Sequence, residues 1–406
     1  MPGHKTMPEP APESPALASP AATGVSPAPA EWGAALRGLW PLDPAITYLN
    51  HGGYGVTPDA VRQEQDAWRR RIERNPMRFF SRELAPALRQ AAAALGEQLG
   101  ARPADIVFVD NATGGCNAVL RSLDFAPGDE ILVTSLGYGA VAKAARYVAA
   151  RSGARLVEVE IPLPLASETV LVERVAARLG PRTRLAIFDH IASHSALVLP
   201  VAALVRLAHG VGACVLIDGA HAPGQIPVDV PAIGADWYVG NCHKWLMAPR
   251  SCGFLWAGPA QQSSVHPLAI SHGYGGGFIA EFDWTGTRDP TPFLSVPAAI
   301  AFHRHLGGAA LMARNQALAL AAAERLAARW GTALGGPAAN FAAMVTVRLP
   351  AEGAASDERA AALQLRLAEE HGIETAIKLE SGALWLRLAA QAYNQPADYE
   401  RLADLW

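Results

Sequence analysis

Between residues 106 and 257, short unbroken apolar runs alternate with longer segments whose apolar positions recur every three or four residues. The short runs predict strands at 106–109, 130–134, 156–161, 184–190, 213–218, 237–239 and 254–256. The helical spacing predicts helices at 140–151, 167–179 and 201–209, with another opening after Asp110. Runs such as Cys214-Val-Leu-Ile217 show no polar alternation, so both faces of their sheet must be covered. The expected fold class is therefore α/β, a doubly wound, mostly parallel sheet.

On the N-terminal side the pattern gives a short helix at 31–39 and a short strand at 46–49. A glycine-dense turn follows at 50–58, then helices at 59–74, with Trp68 and Ile72 on one face, and at 83–99, ended by Gly100. On the C-terminal side, helices are expected at 296–306 and 311–330, and strands near 343–349 and 384–388, reading as a small α+β domain. The glycine-rich stretch His272-Gly-Tyr-Gly-Gly-Gly277 reads as a mobile loop with no helix after it. The expected division is a disordered tail over 1–30, a large domain with an N-terminal arm over 31–290, and a small domain over 291–406. The tail is rich in Pro, Ala and Ser, and Met7 is an alternative start.

Composition narrows the function classes. A net charge of −3 gives no electrostatic case for nucleic acid, and no basic run suggests a membrane surface. No apolar run is long enough to span a bilayer. Cys116, Cys214, Cys242 and Cys252 form no CxxC pair and no zinc spacing, so free thiols in a reduced, cytoplasmic compartment are expected, and no metal. Cys242 beside His243 could pass for a nucleophile and its base, but adjacent residues at a strand end point apart, which favours packing.

Two neighbouring stretches carry chemistry. Lys244 sits on the turn between the strands at 237–239 and 254–256, among apolar residues, with no acid nearer in sequence than Asp236. A desolvated lysine favours its neutral amine, the form that attacks a carbonyl to make a Schiff base. A lysine snorkelling between tryptophans is the alternative. Upstream, the run ending in Asp218 places a carboxylate at the carboxyl end of a buried strand, where α/β sheets open into their ligand crevice. Such a carboxylate can keep a pyridine nitrogen protonated. The small residues of Asp110-Asn-Ala-Thr-Gly-Gly115 before a helix suit an anion, although they lack the GK[ST] ending of a nucleotide loop. Arg387, on a strand otherwise made of Leu and Trp, requires an anion, either a substrate carboxylate or a structural partner.

Together, Asp218-Gly-Ala-His221, Asn241-Cys-His-Lys244-Trp245, Thr285-Gly-Thr-Arg-Asp289 and the Arg387 strand running to Tyr393-Asn394 resemble class V aminotransferase-fold enzymes, in particular the isopenicillin N epimerase-like group. The resemblance covers nearly everything from Tyr48 onward. It implies fold-type I architecture, pyridoxal 5′-phosphate as cofactor, an amino-acid substrate and a homodimer with shared active sites. It implies Lys244 as the Schiff-base lysine and proton acceptor, Asp218 at the ring nitrogen, His221 at the ring hydroxyl and Tyr138 stacked on the ring. Thr113, Gly114, Asn241 and His243 would bind the phosphate, with Thr287 reaching in from a second protomer. Arg387 would take the substrate carboxylate, with Asn50, His51 and Arg288 at the substrate side; Tyr138 and His51 are candidates for a second acid. Epimerisation is the first expectation, with carbon–sulfur lyase or aminotransferase activity as alternatives on the same residues. A cysteine desulfurase is disfavoured because 351–387 contains no cysteine. Intact Lys244, Asp218 and Arg387 argue against a non-catalytic binding module.

Overall fold

The computed structural model describes residues 31–351 and 353–406, so the expected tail over 1–30 lies outside the described residues. Seven strands form the main sheet: β1 (Ile106–Val109), β2 (Glu130–Thr134), β3 (Arg155–Val159), β4 (Thr183–Asp189), β5 (Cys214–Gly219), β6 (Trp237–Asn241) and β7 (Gly253–Ala257). Their spatial order is β1-β7-β6-β5-β4-β2-β3. β2 to β6 pair in parallel, while β7 runs antiparallel to both its neighbours. Alternate residues of one strand enter two different apolar clusters: Ala186 and Phe188 pack in one, Leu185 and Ile187 in the other. That partition is why the strands read as unbroken apolar runs. It also forces the connections into helices that cover both faces, among them Ala112–Ser122, Gly139–Ser152 and Val201–Gly210.

The C-terminal part holds a second, antiparallel sheet of β8 (Met344–Arg348), β9 (Ala376–Glu380) and β10 (Ala383–Ala389), in the order β9-β10-β8. The pattern at 376–380 was too short and mixed to announce β9; the register Ala376↔Arg387 through Glu380↔Ala383 shows a tight hairpin supplying it. The helices Ala309–Trp330 and Asp357–His371 pack on this sheet. Thr47–Tyr48 pairs in parallel with Ile373–Glu374, so the segment that leads into the site is stitched to the C-terminal unit.

Four local expectations change. The segment at 31–39 is a 3₁₀ turn, Ala34–Leu39, rather than an α-helix. The turn at 50–58 contains a helical turn, His51–Tyr54. The helices Asp59–Arg74 and Leu84–Leu99 are joined through a π-helical turn, Phe79–Glu83, whose buried Glu83 holds Arg71 and Arg78 at 2.8 and 2.7 Å, while Arg82 stays exposed. The glycine stretch before Phe278 is followed by a helix after all, Phe278–Asp283. Its buried Glu281 accepts the Gly275 N–H at 3.1 Å and meets His266 at 2.6 Å, which ties the loop down. Glycine composition alone does not reveal such an internal acceptor.

Candidate active site

The carboxyl ends of β2, β4, β5 and β6 open into a cavity of about 410 Å³, as the strand-end rule for α/β sheets requires. Lys244 follows β6 on a loop that other elements fix. The Lys244 carbonyl accepts the Met247 N–H at 3.1 Å and the His51 ring N–H at 3.1 Å. Gly55 adopts φ +67° against the same loop, and a Cβ there would lie 1.8 Å from the His243 carbonyl oxygen. Glycine is thus dictated by close approach as well as by its dihedral.

The Lys244 Nζ lies 2.9 Å from His221 Nε2. The other His221 nitrogen, Nδ1, faces the Trp245 indole N–H at 3.5 Å, and an indole can only donate. That contact places the His221 proton on Nε2, from which it donates to the lysine amine when the amine is in its neutral form. The electrostatics agree. Burial and then the Arg387 charge lower Lys244 to a pKa of about 7, while Asp218 and Asp189 oppose the shift. Burial, then Lys244, hold His221 well below the usual imidazole range. One consequence is testable on cofactor-free protein. The amine is protonated below its pKa and nucleophilic above it, so the rate of attack on an added aldehyde will rise through about pH 7 and level off. An ordinary exposed lysine would still be climbing at pH 9. Stopped-flow absorbance with pyridoxal phosphate across pH 5.5–9.5 measures this.

Asp218, the penultimate residue of β5, lies directly beside Asp189, which ends β4, as register partners. One Asp218 oxygen accepts the Ala220 N–H at 2.9 Å; the other, Oδ2, is buried without a partner among the described residues. Asp189 accepts the Tyr138 N–H at 3.4 Å. Two adjacent buried carboxylates resist ionising together, and burial followed by the Asp218 charge pushes Asp189 well above the usual carboxylate range. Asp189 escaped the sequence reading, although its run, Leu185-Ala-Ile-Phe-Asp189, ends as the Asp218 run does.

At the opposite end, Asn111 caps the helix Ala112–Ser122 by accepting the Gly114 N–H at 2.9 Å. Asn241 accepts the Ala112 N–H at 2.8 Å. Gly114 and Asn241 thus shape this helix start for each other and for Asn111. Thr113, lining the cavity, keeps its N–H and hydroxyl without a partner among the described residues. His243 also lines the cavity; its Nδ1–H donates to the Cys252 carbonyl at 2.8 Å, which leaves Nε2 as the open nitrogen. Burial lowers His243 to about 4. Cys242 is fully buried, as packing requires.

Arg387 is 5 % exposed and has no carboxylate partner among the described residues. Its guanidinium donates to Asn50 Oδ1 at 2.7 Å and to the Ser193 carbonyl, while its Nε has no partner. Burial lowers its pKa to about 10. Ser193 lines the cavity, whereas His194 turns to Glu380 on the β9–β10 hairpin, 2.9 Å away. Tyr138 lines the cavity and is 40 % exposed.

Arg387, Asn50 and Gly114 do not themselves line the cavity but adjoin residues that do, and three further residues stand apart. His51 is fully buried, and both ring nitrogens are engaged, by the Lys244 carbonyl and the Tyr393 hydroxyl at 3.0 Å; it braces the lysine loop and does not line the cavity. Thr287 is exposed and outside the cavity of its own chain. Arg288 pairs with Asp110 at 3.0 Å on the cavity rim and covers the Phe293 ring at 4.7 Å.

The aminotransferase class-V family profile matches residues 48–376. The chain belongs to that family. Among curated relatives, "Putative L-cysteine desulfhydrase 1" of Oryza sativa subsp. japonica is 34 % identical over 88 % of this chain and 82 % of its own length. "Isopenicillin N epimerase" of Amycolatopsis lactamdurans is also 34 % identical, over 89 % of this chain and 95 % of its own. Among solved structures, the cystine C–S lyase C-DES in complex with cysteine persulfide superposes with a TM-score of 0.77 at 23 % identity, covering 89 % of this chain and 97 % of that one. The fold is fold-type I, and the class-V cofactor is pyridoxal phosphate. The residues present fit that group. The orphaned Asp218 Oδ2 suits a pyridinium N–H, the neutral Lys244 amine suits an aldehyde carbon, and the Thr113 end of the helix suits a phosphate.

Proposed function

We propose that this pyridoxal-phosphate enzyme removes the α-proton of an L-α-amino acid and returns a proton to the opposite face, an epimerisation. The observation that carries the reading is the neutral Lys244 amine beside the orphaned Asp218 oxygen in one cavity. When bound, the cofactor supplies a protonated pyridine ring that stores the electron pair left at the α-carbon. Lys244 binds the cofactor aldehyde and then takes the α-proton, and the His221 Nε2–H holds its amine uncharged until needed. Asp218 keeps the ring nitrogen protonated, His221 stands next to the ring hydroxyl, and Thr113, Gly114, Asn241 and His243 form the phosphate end. Tyr138 covers one ring face and, with His51 committed to the lysine loop, is the group left to carry the second proton. Thr287 completes the phosphate end of a partner's site in a homodimer, which accounts for its exposure here.

Arg387 anchors the substrate carboxylate, using Nε and the donor capacity now shared with Asn50 and Ser193. Arg387→Lys keeps the charge but loses the two-pronged geometry, so kcat/KM should fall on the order of a hundredfold. Cofactor retention should not change. Steady-state kinetics and cofactor absorbance on one preparation check both; unaltered substrate affinity, or lost cofactor, would make Arg387 structural.

A second reading, β-elimination by a carbon–sulfur lyase, has one observation in its favour. Elimination needs only the single base Lys244, and the fully engaged His51 leaves the second face thinly equipped. Incubation with a panel of L-amino acids in D₂O separates the two. D-isomer with deuterium at the α-carbon supports epimerisation; pyruvate and sulfide from L-cysteine would replace it with the lyase.

A further inference from the structure

Arg250 borders the active-site cavity and also a second, more open cavity of about 540 Å³. Its Nη2 donates to the Gly55 carbonyl at 3.2 Å, so one prong of its guanidinium is tied to the glycine that locks the lysine loop. The other arginines bordering the second cavity, and Arg288 on the rim, each meet a carboxylate. Arg62 pairs with Asp59 at 2.7 Å, Arg69 with Asp66 and Asp289 at 3.3 Å, and Arg288 with Asp110 at 3.0 Å. Arg250 has no carboxylate partner among the described residues. Its charge nevertheless bears on the site, lowering His243. It also acts on Tyr48, a phenol bordering the second cavity that feels Arg387 as well. Two guanidinium groups without carboxylate partners among the described residues thus act on one side chain.

We propose that Arg250 is a specificity-determining anchor for a second anionic group, so that the substrate is an L-α-amino acid whose side chain ends in a carboxylate. This rests on the reading above, in which Arg387 takes the α-carboxylate. A guanidinium with one carbonyl contact retains donors for a two-point bond to a distal carboxylate, and an amide of equal size cannot match that charge. Arg250 is exposed, so solvent screening limits the preference to about tenfold rather than thousands. The same anion chemistry could be exercised on the cofactor phosphate, because His243 is close enough to feel Arg250.

The test is a spectral titration of the cofactor-loaded protein with ω-carboxylate amino acids of one to three side-chain methylenes, each against its ω-amide. Wild type should bind the best-fitting carboxylate about tenfold more tightly than its amide. In Arg250→Gln that ratio should collapse towards unity, with Arg250→Lys in between. Cofactor affinity of the same variants is read in parallel by fluorescence. A ratio that survives in Arg250→Gln while cofactor affinity weakens would assign Arg250 to the phosphate and overturn the proposal. A wild-type protein that responds to amino acids but shows no preference for the carboxylates would overturn it too. Failure of wild type to respond to any amino acid would instead bring down the proposed function, and this inference with it.

Discussion

Lys244→Ala will lose turnover by on the order of 10⁴-fold or more, because one side chain serves as both cofactor attachment and base. No other lysine among the described residues lines the site. Lys143 and Lys378 line neither cavity, and Lys5 falls outside the described residues. Folding should survive the change. The amine has a pKa of about 7 and forms no ion pair among the described residues, so at pH 8 its loss removes little compensating charge. What remains is a His221 N–H without its acceptor, costing about 1–3 kcal/mol. Borohydride reduction followed by peptide mapping checks the assignment. Wild type should carry the pyridoxyl group on the peptide containing Lys244, and the variant on none; label on another lysine would end this account.

The second large effect is expected at Asp218. Asp218→Asn should fold and hold cofactor, since the Asn Oδ1 can still accept the Ala220 N–H. It presents a neutral amide where a carboxylate faced the ring nitrogen, and a ring that loses its proton is a poorer electron sink. Turnover should fall by roughly 10²–10⁴-fold. The cofactor absorbance should also change its pH dependence. The neighbouring Asp189 sharpens the comparison: burial and the Asp218 charge favour its protonated form, so Asp189→Asn should disturb the ring far less. Equal loss in both variants, or near wild-type turnover in Asp218→Asn, would show that the charge on Asp218 is not what the reaction uses.

The phosphate end shows why roles implied by a family resemblance need a structure. The resemblance groups Asn241 and Gly114 with the phosphate contacts. In the folded chain Asn241 accepts the Ala112 N–H, and the Gly114 N–H is held by the Asn111 cap. They organise the helix start, and Thr113 is left with open donors. His51 was drawn to the substrate by its place in the Asn50-His-Gly turn. Its ring instead bridges Lys244 and Tyr393, residues 193 and 342 positions away, which no local pattern reports.

What the sequence by itself determined is the part governed by local periodicity and strand-end chemistry. Unbroken apolar runs required a sheet covered on both faces, and a carboxylate closing one of them marked the crevice. Isolated charged residues on apolar stretches, Lys244 and Arg387, announced themselves because burial without purpose is costly. Tertiary structure alone decided everything that depends on which strand lies beside which. The β4–β5 register made Asp189 the neighbour of Asp218. The approach of Trp245 and His221 set the tautomer that keeps Lys244 neutral. The meeting of the 50–55 segment with the lysine loop placed Arg250 between two cavities, and a one-dimensional pattern carries no term for such contacts between distant segments.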